Sequence, residues 1–491
     1  MLKRNWHYLL LLLLLADLGY SFWQYSLLPI DGDLADIVWP SPAYGRVMAD
    51  PLGLQALLHN EVYAAPNRFF AHKFLYEYFR RVPLLLQAVA SPIASIYAAC
   101  ALLKTGIQAL IIYLLAVYAT NQKSIVSKDF LLVAVLLTPL FQTAGYGGQM
   151  GIVDISMTYA AFYALPVSLL LLFFLPFFRQ AFHGGQPASG VLQHAGLLAL
   201  ALVLALNGPV APATALVICA GALLYAWHRT YRQHPGLPLP ARVWGGVRAL
   251  PHRLVVPFGM FSALCLYSLF IGLSNAENEW ATLPLAERYG RLPLGVYYML
   301  TSKLGFPLLL LAGLANTYLI RRLMPGASGQ RILTVLKWLG IFSLVFVLLL
   351  PLGGYRSYRE YIIRRDSILP IIVGLAGFFA LSGHYLLTTL PPKARRIYAA
   401  GVVLVLAIFT VADKPRPREY NTCERAMLEK MAASPAPVVA LDGDCNVLAW
   451  RRITDPQDSE LQAQLLHYWG VTPAVKLYYQ PAAAVGGGPA W

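Results

Sequence analysis

The stretch Lys3–Asp36 reads KRNWHYLLLLLLLADLGYSFWQYSLLPIDGDLAD, and the order of its parts decides how the rest of the chain is read. Two cations come first, then an apolar core from Tyr8 to Ala16, then the aromatic group Tyr20, Phe22 and Trp23, then the acids Asp31, Asp33 and Asp36. The cations and apolar core would suit a signal peptide. However, no small-x-small cleavage site follows them, and the aromatic group has the character of an interfacial anchor. This predicts an uncleaved first helix, with a cytoplasmic N-terminus and the three acids on the opposite side of the membrane.

The whole chain bears out a membrane setting. Its 491 residues are 58% hydrophobic and only 12% charged, and its mean hydropathy is +0.57. A soluble protein of this size carries roughly a quarter charged residues, so lipid must face much of this surface. Apolar runs of spanning length fall at 6–28, 93–119, 129–143, 155–178, 191–206, 209–227, 255–274, 303–320, 336–352, 368–388 and 397–412. The predicted fold is an all-α polytopic membrane protein with about 11 transmembrane helices.

A net charge of +15 would ordinarily raise the question of a nucleic-acid partner. Its distribution answers that question. Lys3, Arg4, Lys123, Lys128, Arg179, the arginines between 229 and 253, Arg321, Arg322, Arg331, Lys337, Lys393, Arg395 and Arg396 all fall on one side. They face a single acid, Asp129, while acids and bases nearly cancel on the other side. That is the bias of a cytoplasmic face, and no nucleic acid is needed to explain it. The chain has no Asn-x-Ser/Thr sequon, which favours a bacterial inner membrane over the endoplasmic reticulum.

Residues 1–412 therefore read as a transmembrane domain with a long first extracytoplasmic loop, 29–92, and 413–491 as a small soluble extracytoplasmic α/β unit. In the loop, Ser41–His59 and Asn67–Val82 have the pattern of amphipathic surface helices, the second stopped by Pro83. Phe69, Phe70, Phe74 and Leu75 would enter lipid, while Arg68, Lys73, Arg80 and Arg81 stay wet. The last unit reads as a helix from Cys423, a strand Val438–Leu441, a helix Ser459–Tyr468 and a strand Ala474–Tyr479. Cys423 and Cys445 lie where a disulfide would be permitted, whereas Cys100, Cys219 and Cys265 lie in apolar spans as packing residues.

Several groups have the character of a polar site. Asp31, Asp33 and Asp36 crowd together at the lipid–water boundary, where repulsion and desolvation raise a carboxyl pKa. That suits a general base or a divalent-metal site; the bland alternative is a solvated Asp-Gly turn. Asp154 is either a helix N-cap or a further acid of the same site. The loop 353–367 holds Tyr355, Arg356, Tyr358, Arg359, Arg364 and Arg365, suited to phosphate and sugar, or else to pairing with Glu360 and Asp366 and to contact with anionic lipid. The connection 275–302 mixes Glu277, Glu279, Glu287, Arg288 and Arg291 with tyrosines, as a ligand lining or a wet loop would. Lys104 and Asp17 are charges inside spans, where an isolated charge costs about 2.5–3.5 kcal/mol. Lys104 either pairs with Asp17 or faces a cavity and holds a lipid phosphate. No P-loop, Cys-x-x-Cys, His-Glu-x-x-His or Gly-x-Ser-x-Gly pattern occurs, so the soluble-type ATPase and zinc-protease classes lose support.

The retained first helix, Asp31-Gly32-Asp33 opening a long outer loop, the surface helices, the span number and the outer C-terminal unit together resemble the GT-C superfamily of membrane glycosyltransferases. The resemblance implies transfer of a sugar from a polyprenyl-phosphate donor, inverting, to a glycan, lipid or protein acceptor at the extracytoplasmic face. It places the catalytic base on Asp31, Asp33 or Asp36, with Asp154 in the position of a second-loop acid. Asp36, Lys104, Tyr355, Tyr358 and the arginines of loop 353–367 would bind substrate. A divalent cation such as Mg or Mn would be compatible with such a site without being required. The rival readings are a non-catalytic transporter or flippase of lipid-linked or anionic solutes, which predicts functional charges at mid-depth, and a membrane assembly subunit.

Overall fold

The computed structural model describes residues 7–122, 124–143, 150–185, 190–233, 238–280, 283–353, 355, 361–414 and 420–481. Among these, eight helices are long and apolar enough to cross a membrane: His7–Ser26, Pro92–Thr120, Met157–His183, Val210–Gln233, His252–Ser274, Ala327–Gly353, Leu369–Thr389 and Pro392–Ala412. A ninth is the bent pair Leu285–Thr301 and Gly305–Leu323, which turns by 83° at its break. This is the architecture of a multi-pass membrane protein.

The count falls below the expected eleven for a physical reason. The apolar runs at 129–143 and 191–206 form helices of only 10 and 15 residues, Lys128–Leu137 and Val191–Ala205. At about 1.5 Å per residue neither covers a hydrocarbon layer of about 30 Å. The first is apolar because it is buried in protein: Leu131, Val133, Ala134 and Leu137 are fully enclosed. It then tightens into a 3-10 turn at Thr138–Leu140, which contains Pro139. The bent pair adds a further difference. The stretch 285–301, read as part of a polar loop, is apolar helix apart from its first turns.

Two helices form the axis of the bundle. Pro92–Thr120 and Leu369–Thr389 bury most of their surface, whereas Ala327–Gly353 and Pro392–Ala412 bury little. The outer helices instead present leucines such as Leu344 and Leu404 outward, as expected where lipid replaces water.

The loop helices differ from the amphipathic reading in what they cover. The first stretch is split into Pro42–Ala49 and Leu54–His59 by Gly53, which is left-handed at φ 72°. The second runs Phe69–Leu86, straight through Pro83. Proline removes the N–H that should reach the carbonyl four residues back, here that of Phe79. The Phe79 carbonyl accepts instead from Trp469 Nε1 at 2.9 Å, and the next carbonyl, of Arg80, accepts from the Tyr468 hydroxyl at 2.8 Å. Nor does the apolar face lie in lipid at Leu75. That residue is fully buried with Ala71 and Phe79, packed on the Pro92 helix.

The C-terminal segment forms a helix Thr422–Ala433, strand β1 (Val438–Ala440), a helix Glu460–Tyr468 and strand β2 (Leu477–Tyr479). The strands pair in parallel, with Val439 opposite Tyr478. Cys423 and Cys445 form a disulfide with 6.1 Å between their Cα atoms, and the other three cysteines are free and buried. Leu428, Val447, Leu466 and Trp469 share one continuous hydrophobic core with the Pro92 and Leu369 helices. The segment is thus packed into the end of the bundle that carries Asp31.

Candidate active site

The first two turns of the Met157–His183 helix gather the buried charges. Ser156 caps this helix, accepting from Tyr159 N at 3.1 Å. Asp31 supplies a second cap from a distant part of the chain: its carboxylate accepts from Thr158 N at 2.9 Å and from the Thr158 hydroxyl at 2.5 Å. An anion there is favoured by the unpaired N–H groups of a helix start. The turn behind it is π-helical over Ala160–Ala164, an irregularity that often accompanies functional sites.

Asp154 is not the cap residue itself. One carboxylate oxygen accepts from Ser156 N at 2.9 Å, and the other takes Arg365 Nη2 at 2.6 Å. Loop 353–367 and the acid therefore do meet, through this ion pair. Lys104 lies in the same cluster. It is 1% exposed, donates to the Ile155 carbonyl, and lies within electrostatic range of both Asp31 and Asp154. It does not pair with Asp17, which accepts from the Thr138 hydroxyl at 2.5 Å. The expected Lys104–Asp17 contact fails because the two side chains point to different neighbours.

Beside this buried group lies a more open one. Asp33 accepts from Trp450 Nε1 at 2.7 Å through one oxygen only. Burial pushes its carboxyl up to about 6, with the Asp31 charge adding to the effect and the Trp450 bond opposing it. Burial also raises Asp36. The Tyr44 phenol lies within reach of Asp33, Glu277, Arg68 and Asp36, and is raised chiefly by burial. His72 is buried against Tyr44 and Phe162, with ring centroids 4.9 and 5.3 Å away. Burial and then the Arg68 charge hold it down to about 3, so it is neutral at physiological pH.

Sequence reading missed Arg68, which it placed on a wet helix face. Its guanidinium lies over the Phe162 ring at 4.5 Å. Its Nε is buried without a hydrogen-bond partner, and among the described residues no carboxylate pairs with it. An arginine that is held by an aromatic ring but left without an anion is a ready receptor for one.

The other predicted ligands are distributed as follows. Arg364 bonds Asp366 at 2.6 Å. Tyr355 accepts from Arg291 at 2.7 Å. Arg356, Tyr358 and Arg359 lie outside the described residues. Among those described, no three His, Cys, Asp or Glu side chains are grouped to hold a metal ion. The acids themselves are poorly disposed to do so, since the oxygens of Asp31 and Asp154 are taken by Thr158, Ser156 and Arg365.

No protein-family model matches the chain, and no curated protein does.

Proposed function

We propose that the chain is an inverting membrane glycosyltransferase of GT-C type, working at the extracytoplasmic face of a bacterial inner membrane on a polyprenyl-phosphate sugar. The observation that carries this reading is Asp33: it keeps an oxygen without a protein partner, and its pKa of about 6 sits close to working pH, as a general base requires. Asp31 and Asp154 are committed to bonds within the protein and act as its framework. Asp33 takes the proton from an acceptor hydroxyl as the acceptor oxygen bonds to the anomeric carbon. The bond from that carbon to the phosphate oxygen breaks on the opposite face, and polyprenyl phosphate leaves with the electron pair. Arg68 receives the phosphate, aided by the charges of Lys104 and Arg365 deeper in the site, an electrostatic contribution to the transition state. The mechanism takes no step through a metal.

The test is purified full-length protein in lipid nanodiscs, given a panel of polyprenyl-phosphate hexoses, with release of polyprenyl phosphate as the readout. Release by the wild type and its loss in a folded Asp33→Asn variant support the reading. Undiminished release by Asp33→Asn removes the proposed base.

A further inference from the structure

We infer that the C-terminal segment is a clamp that positions the Asp31-Gly32-Asp33 motif, with Glu424 and Trp450 as the positioning residues and the Cys423–Cys445 disulfide as the tie between them. The inference deepens the transfer reading, since the residue it positions is the proposed base.

Four contacts carry it. Glu424, 1% exposed, accepts from the backbone N–H of Ile30 at 3.0 Å and from that of Leu448 at 3.1 Å. One carboxyl thus joins the residue before Asp31 to the strand of chain leading to Trp450. The Tyr97 hydroxyl completes its shell at 2.7 Å. Trp450 then reaches back to Asp33 through its indole N–H, with its ring beside Tyr159 at 6.0 Å.

Gly32 explains why the motif has a glycine. Its φ of −71° and ψ of −20° are ordinary helical values open to any residue. A Cβ there would instead overlap the backbone nitrogen of Trp450 and the carbonyl carbon of Ala449. The glycine is required by the closeness of the C-terminal segment, which must therefore be seated for the motif to have this shape.

The disulfide spans 22 residues and encloses this arrangement. Cys423 adjoins Glu424, and Cys445 lies just before Leu448 and Trp450. Among the described residues Glu424 has no cationic bonding partner, which makes its burial costly, and burial pushes its carboxyl up to about 7. Such a residue is ill suited to simple stabilisation and well suited to fixing geometry. The groups facing Asp33 are Asp31, Asp36, Glu277 and Trp450, with Tyr44 and Arg68 beyond; those facing Glu424 are Tyr97, Asp31, Cys100, Tyr478 and the Ile30 and Leu448 amides, with Arg425 beyond Tyr97.

The test follows Trp450 emission in full-length protein in detergent, from about pH 4 to about pH 8. The chain has ten tryptophans, so the signal is the difference between wild type and Trp450→Phe. The expected result is a step centred near the Asp33 value of about 6, absent when the difference is taken in an Asp33→Asn background. Reduction of the disulfide, or the Cys423→Ser/Cys445→Ser double variant, should abolish the step. It should also speed hydrogen exchange at Ile30 and Leu448 by ~10-fold or more, as their bonds to Glu424 open. A difference with no pH step, or a step and amide protection unchanged without the disulfide, overturns the clamp. None of these readouts needs turnover, so a coupled titration without sugar transfer would sink only the transfer reading, and transfer with an uncoupled Trp450 only the clamp.

Discussion

Trp469 donates its indole N–H to the carbonyl of Phe79, the one carbonyl that Pro83 leaves without a helical donor. A residue close to the C-terminus thereby repairs a helix in the first loop, and the proline that should end that helix is carried inside it.

Replacing Trp469 with Phe keeps an aromatic ring and removes this donor. The buried carbonyl then goes unpaired, at a cost of about 1–3 kcal/mol beyond the lost packing. A lowered thermal midpoint of the detergent-solubilised chain is the expected outcome. Adding Pro83→Ala should recover part of the loss, because an alanine N–H can serve the same carbonyl. Equal midpoints for the single and double variants would refute the repair.

Asp31 and Asp33 should part company on mutation. Asp33→Asn removes the proposed base, and sugar transfer should drop by ~100-fold or more in a protein that stays folded and, at neutral pH, is no less stable than wild type. Asp31→Asn retains one acceptor for Thr158 and loses the anion at the helix start, so stability should fall by roughly 1 kcal/mol. The check is to measure rate and thermal midpoint on both proteins. A stable Asp31→Asn variant with no transfer would reverse the two roles.

Arg68→Ala should raise KM for the lipid-linked donor ~10-fold, and Arg68→Lys should restore part of the difference by returning the charge without the planar fork. Binding of polyprenyl phosphate alone, followed by native mass spectrometry, should weaken in parallel. Unaltered binding in Arg68→Ala would move the phosphate elsewhere.

Glu424 predicts a pH dependence of folding whose sign is fixed. Its folded pKa, raised to about 7, lies above the unfolded value near 4.5. The folded state therefore binds the extra proton, and stability is full below the unfolded value and declines as pH rises through 7. The decline attributable to this group is at most about 3 kcal/mol. Melting curves taken across that range should flatten in Glu424→Gln relative to wild type. A stability difference between wild type and Glu424→Gln that stays constant from pH 5 to pH 8 would contradict the assignment.

Much of this was legible in the residues because apolar runs, side-chain periodicity and charge bias are local signals. The first span and the helix and strand order after Cys423 follow from them, whereas the pairing of Cys423 with Cys445 is only permitted, since the distance between two cysteines is set by the fold. What stayed hidden depends on partners far along the chain. Pro83 reads as a stop unless the indole of Trp469 is known to be near. Arg68 reads as a wet cation unless Phe162 is known to lie beneath it. Lys104 and Asp17, each an isolated charge in a span, invite pairing on composition alone; only helix packing turns one toward Ile155 and the other toward Thr138. The apolar run at 129–143 looks like a span because burial in protein and burial in lipid select the same side chains.

The bond between Ile30 and Glu424 joins groups 394 positions apart, and it orders events during biosynthesis. The ribosome delivers the acidic motif well before its carboxyl partner, and every helix between them is made in the interval. Until then the Ile30 amide must be served by water, and a nascent protein halted by premature termination would carry an unfinished centre. Contacts this remote favour slow folding, and this one can form only in molecules translated past Glu424.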